Sequence, residues 1–76
     1  MLDELREVAS LGGPACRLAN DILVLRQDYE DNLISLQNYQ TGMNQIAEIR
    51  AKFELQNYPE MCSYIIAVAK TLSTFI

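Results

Sequence analysis

Histidine and tryptophan are both absent from this 76-residue chain. Without histidine, the commonest general base and the commonest zinc ligand are missing. Cysteine occurs only twice, at Cys16 and Cys62, with no CxxC pair. Two cysteines cannot complete a structural zinc site, and they are expected to be reduced, buried thiols. Three glycines and two prolines leave few places for turns. Ten acidic residues against six basic ones give a net charge of −4, so no patch that would grip nucleic acid is expected. The longest aliphatic run, residues 65–69, is far short of the roughly 18 needed for a membrane span. The opening MLDELREV is acidic where a secretory signal would be basic, and no apolar stretch follows it. These features predict a cytoplasmic protein with no membrane span.

At 8.6 kDa the chain amounts to one small helical domain, or a fragment of one, over residues 1–76. Half of its residues are hydrophobic, which argues against disorder. Their spacing predicts an all-α fold of four to five helices packed as an antiparallel bundle. Leu2, Leu5, Val8 and Ala9 set a first helix over about 2–11, which Gly12 and Gly13 stop. Pro14 opens a second over about 14–30, with Ala15, Leu18, Ala19, Ile22, Leu25 and Tyr29 as its buried stripe. A short helix over 33–40 and a break at Thr41–Gly42 are expected next. Thr41 or Asn44 then caps a helix over 43–57, with Met43, Ile46, Ala47, Ile49 and Phe53 as its apolar face. Asn57–Tyr58–Pro59 starts the last helix, 59–76. Only Glu60 and Lys70 are charged in it. Its stripe, Met61, Ile65, Val68, Leu72 and Phe75, is more apolar than so short a chain is expected to cover. It therefore reads as an interface, completed by oligomerisation or by a second helical chain.

One constellation bears on chemistry. In Arg17–Asp31, Asn20, Val24 and Asp28 lie four residues apart and share a helix face. The segment RLAND, with an acidic residue eight positions after its Asn, resembles the second metal-binding motif of class I terpene synthases. That motif reads Asn/Asp-Asp-x-x-Ser/Thr-x-x-x-Asp/Glu. LGGPACRLAND is similar to the entry of that family's metal-binding helix, and Asp31–Asn32–Leu33 to the turn after it. Ala47–Glu48–Ile49–Arg50 is similar to its next helix. Val24 stands where the family has Ser or Thr, and the family's Asp-rich first metal motif is not present. The resemblance covers roughly residues 8–76 and matches the C-terminal third of a cyclase.

The resemblance implies a fragment or small subunit of a class I terpene synthase, a lyase inactive as an isolated chain. When complete, such an enzyme ionises a prenyl diphosphate with Mg²⁺ and cyclises the product. Asn20 and Asp28 would then ligate Mg²⁺, and Arg17, with Arg26, would offer charge to the diphosphate. The alternative is a small helical interaction or scaffold protein that self-associates or docks through its last helix.

The remaining candidates read as structural. Asp28, Glu30 and Asp31 are expected as a solvated helix end. Tyr29, Tyr39, Tyr58 and Tyr64 are expected as half-buried packing residues. Cys16, near a helix N-terminus, sits where the helix dipole favours thiolate.

Overall fold

The computed structural model describes residues 2–74. Four helices account for most of them, with no strand among the described residues. Helix α1 spans Leu2–Leu11 and α2 spans Pro14–Glu30. The turn between them is Gly12–Gly13, with φ of 78° and 86°. Side chains rarely adopt that left-handed region, so glycine is required twice. Helix α3 runs over 36–54, and α4 spans Pro59–Thr74.

α3 differs most from expectation. No break occurs at Thr41–Gly42; the chain is helical straight through both residues. The helix starts at Leu36 rather than Leu33, because Ser35 caps it. The Ser35 Oγ accepts the Asn38 N–H at 3.1 Å. Gly42 serves helix packing instead of a turn. A Cβ at this position would lie 2.7 Å from Leu25 Cδ2, so the missing side chain lets α3 approach α2 closely.

α3 also changes pitch. Leu36–Gln45 is α-helical, Ile46–Arg50 forms a wide π-turn, and Ala51–Glu54 is α-helical again. The Ala51 N–H reaches back five residues to the Ile46 carbonyl. The reason lies in the spacing of the buried residues. Tyr39, Met43, Ala47, Ala51 and Leu55 recur every fourth position and are all fully buried. In a regular α-helix, each four-residue step drifts by about 40°, so such a stripe would wind well round the rod. The wide turn takes up that drift and keeps the stripe on the core. Its consequence is that Ile49 and Phe53, expected on the buried face, are 63% and 76% exposed.

The other stripes close on one another. Leu5 of α1, Leu18, Ala19 and Ile22 of α2, and Ile65 and Ala69 of α4 are fully buried in the same core. Tyr39 Oη donates to the Leu72 carbonyl at 2.8 Å, and Cys62 Sγ–H points to the Ala51 carbonyl at 3.5 Å. The start of α3 thus meets the end of α4, and the end of α3 meets its start, so the two run antiparallel. The expected interface needs correcting here. Ile65, Val68 and Leu72 are buried in this chain's own core, where α4 packs on α2 and α3. The other helices suffice to cover these three residues. Met61 is half-buried beside it. Phe75, the last member expected there, lies outside the described residues.

No described helix is long and apolar enough to cross a membrane.

Candidate functional site

The face carrying the motif lies between α2 and α3. Arg17, Asp21, Val24 and Asp28 follow a 4-3-4 spacing and share one side of α2. An open groove of about 390 Å³ runs along it, lined by Asp21, Val24, Leu25 and Asp28 from α2 and by Gly42, Gln45, Ile46 and Arg50 from α3. Two members of the expected claw, Val24 and Asp28, therefore do line a groove. The third does not. Asn20 is exposed, and its amide points back one turn, with Nδ2 3.5 Å from Cys16 Sγ.

The charged residues in this groove come from both helices. Arg50 Nη2 lies 2.5 Å from Asp21 Oδ2, across the groove floor. Arg50 Nε is also 3.7 Å from Glu54 Oε1. Neither Arg50 nor Asp21 was a candidate from the sequence. Arg50 follows Ile46 by one turn, and both lie on the α3 side of the groove.

The expected diphosphate ligands are separated. Arg17 lines a second groove with Gly13, Pro14, Phe53 and Glu54 at the other end of the face. Arg26 turns the other way. Its Nε is 2.9 Å from Glu30 Oε1 and its Nη1 donates to Tyr39 Oη at 3.1 Å. Its guanidinium lies over the Tyr39 and Tyr29 rings, which stack with centroids 4.6 Å apart. The hydrogen bond to Tyr39, supported by Glu30, raises the Arg26 pKa against the opposing effect of partial burial. Tyr39 is not a half-buried packing residue. It is wholly buried and joins α2, α3 and α4 through one hydroxyl.

As a metal centre the donors are few. Among the described residues, no three of histidine, cysteine, aspartate and glutamate converge on one point. Asp28 brings one carboxylate, Asp21 is held by Arg50, and Val24 supplies methyl groups where a hydroxyl is needed. Mg²⁺ prefers a near-octahedral oxygen shell, and these residues alone do not provide one. Cys16 is likewise not arranged as a nucleophile. Its thiol donates to the Ala9 carbonyl at 2.8 Å and is turned back onto α1.

A second polar cluster sits where α1 faces α4. The Tyr64 hydroxyl is shut off from solvent and has no hydrogen-bond partner among the described residues. Burial, then the nearby charges of Glu4 and Glu7, push its pKa upward. On the outer side of α3, Glu48 meets Lys70 of α4 at 2.9 Å and Lys52 at 3.4 Å. The hydrogen bond to Lys70, followed by that to Lys52, holds the Glu48 carboxyl below its usual range.

Compared with known proteins, the chain matches no family model, no characterised protein and no solved structure.

Proposed function

We propose that the chain is a helical association subunit that presents its α2–α3 face to a second polypeptide. The observation that carries this reading is the exposure of Val24 and Phe53, each more than half open to solvent and each lining one of the two grooves, with Ile49, one turn before Phe53 on α3, also more than half exposed. Ile65, Val68 and Leu72 of α4 are buried in the chain's own core, which favours the α2–α3 face over the α4 stripe as the docking surface. The other large exposed apolar residues, Leu11, Leu33, Leu36 and Tyr58, lie at or near helix ends, away from the two grooves' linings. The test is the mass of the assembly formed by the wild type and by an Ile49→Ser/Phe53→Ser double variant. The wild type is expected to purify from its source in an assembly heavier than 8.6 kDa. The double variant should fold but leave that assembly. An assembly of unchanged mass in the variant defeats the reading.

A second reading is favoured by one observation: Val24 and Asp28 of the terpene synthase-like motif line the same groove as Arg50. The associating polypeptide would then supply the missing Asp-rich motif, and the pair would take Mg²⁺ and a prenyl diphosphate. Arg50 would replace Arg17 as the cation facing the diphosphate. Val24→Ser restores the absent hydroxyl. Titration calorimetry with Mg²⁺ and inorganic diphosphate, in the presence of the partner, should show tighter binding in this variant. Unchanged binding leaves association as the function and removes the diphosphate site.

A further inference from the structure

The charges on the α2–α3 face are arranged in a self-complementary way. The central pair, Asp21 and Arg50, is already neutralised within the chain. Arg17 and Asp28 flank it on α2, eleven residues apart. Neither makes an ion pair among the described residues. Eleven residues turn an α-helix through almost exactly three turns and advance it about 16 Å, so one unpaired cation and one unpaired anion point the same way.

Apolar shape follows the same polarity. Phe53 stands beside Arg17 at one end, 76% exposed. The groove lined by Val24, Leu25 and Gly42 opens beside Asp28 at the other end. A two-fold axis through the face near the Asp21–Arg50 pair exchanges the two ends. It places Arg17 of each copy against Asp28 of the other, and Phe53 of each copy at the mouth of the other's groove. An isologous interface requires this kind of matching, in which a patch complements itself after a half turn.

We infer that the occupant of this face is a second copy of the chain, docked antiparallel as a two-fold dimer, with Phe53 seated in the partner groove and Arg17 paired to Asp28 across the interface. This rests on the association reading above and supplies its partner and register. Rim charges of this kind act mainly on specificity and salt dependence, while the buried aromatic anchors the contact.

Charge reversal tests it. Each residue lines an open surface groove, so Arg17→Asp and Asp28→Arg should leave the helical circular dichroism unchanged. Sedimentation equilibrium should show a wild-type dimer that weakens as salt rises. Each single reversal sets like charges together twice per dimer and should weaken it about tenfold or more. Mixing the two variants should restore dimerisation, because each unlike pair is re-formed in the heterodimer. A wild type that stays monomeric to high concentration overturns the inference. So does a dimer indifferent to both reversals, or a mixture no tighter than its components. The association reading fails on a different result: Ile49→Ser/Phe53→Ser leaving the native assembly intact. A wild-type monomer that still loses a different polypeptide on that double substitution keeps the reading and removes the self-association.

Discussion

Single side chains in this chain carry more than their sequence context suggests. Tyr39 and Tyr64 look alike in the sequence, each an aromatic residue in a helical stretch. Tyr39 donates to Leu72 and accepts from Arg26, so its hydroxyl is fully used. Tyr64 buries the same group with no hydrogen-bond partner among the described residues. A buried hydroxyl without a partner costs stability, typically about 1–3 kcal/mol. Tyr64→Phe removes it with no loss of packing. The variant should be more stable by about 1 kcal/mol, which in a chain of this size raises Tm by about 4–8 °C. The pH dependence gives an independent check. Burial and the charges of Glu4 and Glu7 raise the folded pKa of Tyr64 above its ordinary 10.0. Folding therefore holds Tyr64 protonated above pH 10, so its ionisation leaves stability untouched below pH 10 and lowers it as pH rises through the folded value. Tyr64→Phe should flatten that alkaline decline in denaturant midpoints and leave the neutral range parallel. A Tm that falls on substitution would mean the hydroxyl has a partner in solution.

At the level of elements, α1, α2 and α4 were legible because ordinary signals set their ends. Gly12, Gly13 and Pro14 mark one turn, and Pro59 marks another. α3 was not legible, for two physical reasons. Glycine is a helix breaker by propensity, but at Gly42 the close approach of Leu25 decides its use. The buried stripe of α3 has a period of four, which a regular α-helix does not follow, so 3.6-residue counting put Ile49 and Phe53 inside. The site suffered from the same error. The sequence located the α2 half of the face, through Val24 and Asp28, and missed its α3 half, Gly42, Gln45 and Arg50. Gly42 permits a quantitative test. Gly42→Ala gains about 1 kcal/mol of helix propensity but pushes its Cβ onto Leu25. The two effects should nearly cancel in the wild type. In a Leu25→Ala background the clash is gone, and the same change should stabilise by about 1 kcal/mol. A double-mutant cycle by urea denaturation reads the difference as coupling. Additive effects would show that α3 does not approach α2 at this point.

For the whole molecule, the question is which apolar surface holds the chain together and which is left over. The described residues form a slab of 34 × 22 × 16 Å with a radius of gyration of 11.5 Å. So small a body buries only about 60% of its unfolded surface, so its stability is marginal and each core residue counts. By composition α4 was the obvious surplus, since it is the most apolar helix. The fold reverses that ranking. Leu72 is 6% exposed and its carbonyl receives the Tyr39 hydroxyl, whereas Phe53, in a more polar stretch, is 76% exposed. The two substitutions should therefore separate folding from association. Leu72→Ala leaves a cavity costing about 2–5 kcal/mol, enough to unfold most of the chain at any concentration short of strong mass-action rescue. Phe53→Ser removes a solvent-facing ring and should change the stability of the isolated chain by less than about 0.5 kcal/mol. What it should remove is the rise of Tm with protein concentration that a dimer produces by mass action. Melting curves across a hundredfold concentration series distinguish the two outcomes. If Leu72→Ala melts like the wild type while Phe53→Ser unfolds, the assignment of core and docking face is inverted.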